Sequence, residues 1–201
     1  MTTAPHTKAG RRGRPGYDLE SVLLVAVKLF NERGYDGTSM EDLARKLGIT
    51  KSAIYHHVPS KQELLRLAVD RALDGLFGVA EEAGNLAGPA IERLEFLVRG
   101  SVAVLVDRLP FVTLLLRVRG NTKVERDALT RRREFDRIVA DLVALAEREG
   151  DIRPDVDPAI TARLLFGMVN SLIEWYRPKR GDTDIADTVA RIAFEGMRPR
   201  R

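Results

Sequence analysis

The segment from Lys51 to His57 gathers side chains that can hydrogen-bond to an anion or to the edge of a base. Lys51 carries an ammonium group, Ser52 and Tyr55 carry hydroxyl groups, and His56 carries an imidazole. Small and polar side chains on one turn of helix can enter a DNA groove and hydrogen-bond to base edges and phosphates. This combination predicts a segment that binds double-stranded DNA.

The residues around this segment are predicted to form two short helices joined by a turn. Thr38 to Glu41 has the pattern of a capping box, in which the Thr hydroxyl accepts from the backbone three residues on. Apolar residues then recur at i, i+3, i+4 and i+7, namely Met40, Leu43, Ala44 and Leu47. Gly48 can leave the helix with a positive φ, and Thr50 can cap the next helix. This arrangement predicts a helix-turn-helix, whose second helix enters the major groove.

Helical periodicity continues along the rest of the chain, without the alternation that is typical of strands. Further helices are predicted over 18–33, 61–83, 90–109, 110–121, 124–149, 158–177 and 182–197. The total of about nine helices predicts an all-α fold. It comprises a basic arm at 1–17, a helix-turn-helix domain at 18–66 and a larger helical body at 67–201.

The basic arm accounts for the net charge of the chain. Residues 1–17 hold four basic and no acidic side chains, and the whole chain has a formal charge of +4. Within the arm, Arg12-Gly13-Arg14-Pro15 resembles the core of an AT-hook, in which Arg side chains lie along a narrow A·T minor groove. We therefore expect Arg12 and Arg14 to contact DNA beside the helix-turn-helix. The alternative is a solvated terminus that binds nothing.

The residues that the sequence lacks exclude several classes of site. There is no cysteine, and the three histidines are His6, His56 and His57, so neither a soft metal site nor a Ser-His-Asp triad is expected in the body. Without a nucleophile elbow or a phosphate-cradling glycine loop, we expect no enzyme and no cofactor. No apolar run is long enough to span a membrane and the first residues lack the apolar region of a signal peptide, so a cytoplasmic protein is expected.

Residues 18–66 resemble the DNA-binding domain of the TetR family of bacterial transcription regulators. The resemblance is carried by Gly34-Tyr35, Thr38, Leu43-Ala44, Gly48-Ile49-Thr50-Lys51, Ile54-Tyr55-His56-His57, Ser60-Lys61 and Leu64-Leu65. Val58 departs from the pattern, because the family usually has an aromatic residue there. The resemblance implies a homodimer that places one reading helix on each half of a palindromic operator, usually as a repressor. It also implies that a small molecule binding in the body releases the DNA.

The DNA contacts that we expect divide into phosphate and base contacts. Thr38 lies at a predicted helix N-terminus, where its hydroxyl and backbone N–H can hold a phosphate. Tyr55 and Lys61 resemble the phosphate-contacting Tyr and Lys of the family. Base edges are expected to meet Lys51, Ser52, Ala53 and His56. Tyr55 can alternatively be a core aromatic residue with its hydroxyl at the surface, whereas Ile54 is assigned to the core.

The effector site is expected among the middle helices of the body, as an apolar pocket with few polar groups. The candidate residues are Phe96, Phe111, Leu115, Arg119, Phe135, Phe166, Asn170 and Trp175. Each of them can equally belong to an ordinary helix-bundle core, and Arg119 can equally complement the dipole at a helix end.

The stretch from Leu172 to Pro178 resembles the end of the eighth helix in TetR regulators that respond to acyl-CoA thioesters. An acyl-CoA or a carboxylic acid is therefore the expected effector. Two alternatives stay open: a multidrug-sensing repressor of an efflux gene, and an architectural DNA-binding protein without an effector. The large apolar body argues against the second of these.

The last two helices are expected to form the dimer interface as a four-helix bundle with their symmetry mates. The predicted interface residues are Leu165, Met168, Leu172, Ile185, Val189, Ile192 and Gly196. Trp175 can belong to this interface instead of the effector pocket.

Overall fold

The computed structural model describes residues 18–177 and 184–196, and every regular element in those ranges is an α-helix. The nine helices found there are α1 (Leu19–Arg33), α2 (Met40–Leu47), α3 (Lys51–Tyr55), α4 (Lys61–Asn85), α5 (Ala90–Asp107), α6 (Leu109–Arg117), α7 (Lys123–Glu149), α8 (Pro158–Trp175) and α9 (Ile185–Glu195). The all-α class and the count of about nine helices are confirmed.

The start of α2 corrects the predicted capping box of Thr38 and Glu41. The box is formed one residue later, by the hydroxyl of Ser39 and the carboxylate of Asp42, each of which accepts from the other's backbone N–H. Thr38 is buried, and its hydroxyl donates to the carbonyl oxygen of Gly34 at 2.9 Å. Because that hydroxyl points inward, the next one along the chain caps the helix.

The turn between α2 and α3 has the predicted chemistry. Gly48 lies in the left-handed region with φ of 68°, and its N–H donates to the carbonyl oxygens of Ala44 and Arg45. The hydroxyl of Thr50 accepts from the N–H of Ala53 and begins α3. These local contacts fix the angle at which α3 leaves α2. A residue with a side chain would be strained in the left-handed conformation that Gly48 adopts.

The long α4 belongs to both halves of the molecule. Its first turns place Leu64, Leu65 and Ala68 in one apolar cluster with residues of α1, α2 and α6, and later positions such as Ala80 and Ala83 pack in a second apolar cluster with α5, α7 and α8. The predicted boundary at residue 66 therefore falls inside a continuous helix. The first cluster also includes apolar residues of α5 and α6, so the core runs without a break from the helix-turn-helix into the body.

Several helix ends differ from the prediction. Helix α4 was expected to stop before Gly84 but continues to Asn85, because the Arg93 guanidinium donates to the carbonyl oxygens of Ala83 and Gly84. Helix α5 stops at Asp107 and α6 at Arg117, so both are shorter than expected. Helix α8 ends at Trp175 and α9 begins at Ile185. The predicted α9 ends, at 182 and 197, lie outside the described residues.

Close packing of α5 against α4 leads to a testable difference between two glycines. A Cβ placed on Gly100 would clash with both methyl groups of Val79, whereas no atom outside the local backbone lies within 4 Å of a Cβ placed on Gly78. We expect Gly100→Ala to lower the free energy of unfolding by about 1–2 kcal/mol, since overpacking outweighs the gain in helix propensity. Gly78→Ala should raise it by roughly 0.5–1 kcal/mol. Chemical denaturation of both variants checks this, and equal effects would contradict the close contact.

Candidate nucleic-acid interface

Helix α3 presents a polar outer face because one residue anchors its inner face. Ile54 is fully buried beneath the helix, while Lys51, Ser52 and His56 are exposed. Tyr55 is 44% exposed, so its ring is not part of the core and the core alternative for this residue is wrong. The exposed side chains share a short helix held by a tight turn, which is the geometry needed to enter a DNA groove.

Thr38 has a different role from the predicted phosphate contact. Its side chain is buried, and its hydroxyl donates to the carbonyl oxygen of Gly34, with a longer contact of 3.4 Å to that of Leu29. Its backbone N–H donates to the carbonyl oxygen of Tyr35 at 3.2 Å. Both polar groups are therefore engaged within the protein. Thr38 fixes the turn between α1 and α2, and Ser39 is the residue that caps α2.

Lys61 also makes internal contacts that the sequence did not indicate. Its ammonium nitrogen donates to the carbonyl oxygens of Tyr35 and Thr38, each at 2.9 Å. The same nitrogen lies 4.1 Å from the centroid of the Tyr35 ring, in cation–π geometry. These contacts join the start of α4 to the turn between α1 and α2. An ammonium has three donors, so one N–H of Lys61 remains for a phosphate.

An ion pair on the exposed side of the helix-turn-helix connects α2 to α3. The ammonium of Lys51 donates to the carboxylate of Glu41 and lies 6.0 Å from the centroid of the Tyr55 ring. The hydrogen bond with Lys51 lowers the pKa of Glu41 and raises that of Lys51. A predicted base-reading residue is therefore bound to a carboxylate in the free protein. Sequence spacing gave no sign of this pair, because the two residues lie on different helices.

This ion pair predicts the effect of removing the acidic partner. Glu41→Gln frees the Lys51 ammonium and removes a negative charge from the exposed surface of the helix-turn-helix. We expect operator affinity to rise by roughly 3- to 10-fold at low salt. The slope of log affinity against log salt should become steeper by the amount that corresponds to about one phosphate contact. Fluorescence anisotropy across a salt series measures both quantities. Glu32→Gln, on the exposed surface of α1, serves as the charge-matched control, and an equal rise in that variant would attribute the effect to net charge alone.

Some of the candidate effector residues line the same cavity, and the others lie away from it. Leu115, Phe135, Phe166 and Asn170 line one internal cavity of about 40 Å³ between α4, α5, α6, α7 and α8. Phe135 lies at the centre of an aromatic cluster, with its ring centroid 6.0 Å from that of Phe77 and 5.1 Å from that of Phe166. These residues form the apolar wall that an effector pocket requires.

Four of the candidate residues lie away from this cavity. Phe96 packs at the edge of the second apolar cluster, and Phe111 stacks under the Arg71 guanidinium at 4.9 Å on the side of α1. Arg119 follows α6, where its backbone N–H donates to the carboxylate of Glu125. Trp175 is 60% exposed at the end of α8. Uniformly apolar helices conceal which face turns inward, so the sequence could not separate these residues from the cavity wall.

The cavity contains polar side chains that sequence reasoning missed. Ser101 of α5 and Arg132 and Asp136 of α7 line it together with Asn170. Ser101 occupies an inward-facing position of α5, between buried Val98 and Leu105. The sequence did contain one indication of this polar group, namely a hydroxyl residue at a position of the apolar stripe of α5. Arg132 was hidden in a run of three arginines, 131–133, which reads as an exposed surface.

Helix α6 touches both the cavity and the DNA-binding domain. Leu115 faces the cavity, while the carbonyl oxygen of Pro110 accepts from the Asn31 side-chain amide at 2.8 Å. At the other end of α6, the Arg117 guanidinium donates to the backbone carbonyl oxygen of Asn31 at 3.3 Å. A displacement of α6 would therefore be transmitted directly to the end of α1.

The predicted dimer residues are only partly available on the surface. Leu165, Leu172 and Val189 are buried within the protomer, which places them in its own core and corrects their assignment to an interface. Met168 and Ile185 are partly buried, and Ile192 and Gly196 are exposed. The exposed apolar side chains of α8 are instead Ile160, Leu164 and Trp175, which lie on one helical face. The predicted stripe was displaced by one position, because α8 is apolar on most of its surface.

Two further predictions concern membranes and metals. None of the helices in the described ranges has the length and apolar character needed to cross a membrane. No group of three or more metal-binding side chains occurs within 18–177 and 184–196. The arm residues Arg12 and Arg14 lie outside the described residues.

Comparison with known proteins agrees with this geometry. Residues 22–68 match the family model described as bacterial regulatory proteins, tetR family, and residues 87–197 match the tetracyclin repressor-like C-terminal domain. In an alignment 204 positions long, the chain is 28% identical to the HTH-type transcriptional repressor KstR2 of Rhodococcus jostii strain RHA1, and the alignment covers 94% of this chain and 92% of KstR2.

Two solved structures share the fold over most of their length. SCO3833, a TetR family member from Streptomyces coelicolor A3, superposes with a TM-score of 0.84 at 57% identity, covering 89% of this chain and 91% of that one. AibR, solved in complex with isovaleryl coenzyme A and operator DNA, superposes with a TM-score of 0.73 at 29% identity. The superposition covers 88% of this chain and 97% of AibR. The chain belongs to the TetR family of DNA-binding transcription regulators, and the expectation that it is not an enzyme is confirmed.

Proposed function

We propose that this protein is a ligand-responsive repressor that binds a palindromic operator as a homodimer and leaves it when a small molecule enters the helical body. The observation that carries the proposal is the exposed polar face of α3, anchored by buried Ile54 in a helix-turn-helix whose core continues into a body with an internal cavity. Repression is proposed because KstR2, the relative that spans nearly the full chain, is a repressor.

A homodimer is supported by the exposed apolar face of α8. Leu164 is 69% exposed and Trp175 is 60% exposed, although both are large apolar side chains. An adjacent groove of about 630 Å³ is lined in part by Leu164, Met168 and Ile192, which joins this face to α9. Contiguous apolar surface of this kind marks an interaction site, and a two-fold axis through it would place the two α3 helices for two half-sites.

The proposed DNA contacts lie on α3 and beside it. Lys51, Ser52, Ala53 and His56 would face base edges and Tyr55 would face a phosphate, whereas Lys61 would act through its contacts with Tyr35 and Thr38. Arg12 and Arg14 would extend these contacts into the neighbouring minor groove.

The proposed effector is an acyl-CoA or a carboxylic acid. AibR binds isovaleryl coenzyme A, and the apolar cavity wall of this chain suits an acyl chain. A cavity of about 40 Å³ exceeds the roughly 10–15 Å³ that one water molecule needs, but is too small for an acyl chain. Effector entry would therefore displace the surrounding side chains, including Leu115 on α6. Since α6 is hydrogen-bonded to α1, this displacement would shift the DNA-binding domain.

Selection of binding sites from random double-stranded DNA tests the first half of the proposal. We expect a palindrome with half-sites separated by one or more helical turns. Release of the selected operator is then measured with acyl-CoAs, aromatic and fatty acids, and cationic drugs. Release by drugs alone would favour a multidrug sensor, and release by no compound together with sequence-independent binding would favour an architectural protein.

A further inference from the structure

The internal cavity combines an apolar wall with polar side chains that make no hydrogen bond to the residues that the structure describes. Leu115, Phe135 and Phe166 form part of the apolar wall, and Ser101, Asn170, Arg132 and Asp136 interrupt it. The cavity therefore has a polar side as well as an apolar one. Ligand sites typically combine an apolar surface with a few polar groups that fix orientation.

Ser101 is the polar group buried most deeply in this cavity. Its side chain is fully buried, and its hydroxyl has no hydrogen-bond partner among the residues that the structure describes. A buried hydroxyl without a partner reduces stability, and protein interiors rarely retain one. The hydroxyl faces the cavity, so a molecule bound there would supply the missing partner.

Arg132 is a second donor on the cavity wall whose hydrogen-bonding capacity is unused within the described ranges. Its side chain is half-buried, and it forms no hydrogen bond or ion pair within the described ranges. The preceding residue, Arg131, in contrast pairs with Asp70 and Asp74 on α4. Burial lowers the pKa of Arg132, an effect that the charge of Asp136 partly offsets, but a guanidinium remains protonated at neutral pH.

Asn170 and Asp136 complete the polar side. The side-chain amide of Asn170, partly buried on α8, makes no hydrogen bond to another described residue. Asp136 lies at the mouth of the cavity, where partial burial raises the pKa of its carboxyl group and the charges of Arg132 and Arg163 act in the opposite direction. Three donors thus line a cavity whose mouth carries a carboxylate.

We propose that Ser101, Arg132 and Asn170 form a subsite for the carboxylate of a small organic acid, whose hydrocarbon part lies against Phe135 and Phe166. The inference rests on the proposed function, in which this cavity is the effector site. A carboxylate offers about four lone-pair positions, and these match a guanidinium, an amide N–H and a hydroxyl. A thioester carbonyl carries no charge and a carboxylate does, so the guanidinium of Arg132 favours a free acid over its coenzyme A thioester.

Calorimetric titration of the full-length protein with octanoate, octanoyl-CoA and octanol tests the proposal. We expect octanoate to bind the wild type most tightly and octanol to bind at least 10-fold more weakly. Ser101→Ala should bind octanoate at least 5-fold more weakly and yet melt at a higher temperature without ligand, because an unpartnered hydroxyl has been removed. A purely structural Ser101 would not produce this opposite pair of effects.

Two substitutions on α7 provide a second test of the proposal and its matched control. Arg132→Gln should weaken octanoate binding at least 10-fold, whereas Arg133→Gln, which changes the adjacent exposed arginine, should leave it within 2-fold of the wild type. Octanoate binding that is absent from the wild type, or that survives within 2-fold in both Ser101→Ala and Arg132→Gln, overturns the subsite. Tighter binding of octanoyl-CoA than of octanoate overturns the preference for a free acid.

Failure of this inference differs from failure of the proposed function. If an acyl-CoA or a drug releases the selected operator while organic acids do not bind, the protein is still an effector-responsive repressor and the carboxylate subsite is wrong. If no palindromic operator is selected, the proposed function fails whether or not octanoate binds.

Discussion

Leu164→Asp is expected to convert the proposed dimer into a monomer and to weaken operator binding by more than about 100-fold. Leu164 is 69% exposed on the apolar face of α8, so its replacement by Asp should hardly change the free energy of unfolding of the isolated protomer. In a two-fold interface each Asp would be buried near its symmetry mate, where desolvation and like charge oppose association. Loss of the second α3 helix then removes half of the DNA contacts.

The mass in solution and the operator affinity measure the two parts of this prediction. Leu24→Asp introduces the same change at another exposed leucine, on α1, and should leave the protein dimeric. Circular dichroism should report unchanged helix content in both variants. A dimeric Leu164→Asp variant would exclude the α8 face from the interface.

Lys61→Met is expected to lower the free energy of unfolding by about 2 kcal/mol. The substitution keeps an apolar stem but removes the hydrogen bonds to the carbonyl oxygens of Tyr35 and Thr38 and the cation–π contact with the Tyr35 ring. Both carbonyl oxygens then lose a partner at the junction of α1, α2 and α4. The melting temperature should fall by roughly 4–8 °C.

The salt dependence of operator binding separates this internal role from a phosphate contact. Loss of one phosphate contact would make the slope of log affinity against log salt shallower by about 0.9. We expect the slope of Lys61→Met to stay within error of the wild type. Lys46→Met removes an exposed ammonium from α2 and should leave stability nearly unchanged. A shallower slope with unchanged stability would favour the phosphate contact that the family resemblance implies.

The elements that could be predicted from sequence are those fixed by local contacts. The α2–α3 unit was found because its apolar period, Gly48 and the Thr50 cap all act within a few residues. The capping box was displaced by one residue because two hydroxyls, Thr38 and Ser39, are adjacent. Thr38 does not cap because its hydroxyl donates to carbonyl oxygens at the end of α1, those of Gly34 and Leu29, and the apolar spacing does not reveal that contact.

The parts of the site that could not be predicted depend on which side of a helix faces inward. Helix α8 carries apolar residues around most of its circumference, so periodicity cannot distinguish buried Leu165 from exposed Leu164. The cavity combines α5, α7 and α8, and Ser101 and Arg132 come together only through their packing. The Glu41–Lys51 pair likewise links two helices across a turn.

The continuous α4 limits how DNA specificity can be exchanged between proteins of this fold. Leu64, Leu65 and Ala68 are buried in one cluster with apolar residues of α1 and α2, and the same cluster continues to Leu115 on α6. A chimera that transplanted only residues 18–66 would combine parts of this core from two proteins, and their side chains would not be matched in shape. New operator preferences are therefore more accessible through substitutions on the outer face of α3 than through exchange of the whole segment. In this protein the reading surface can diverge independently, while the scaffold beneath it must diverge together with the body.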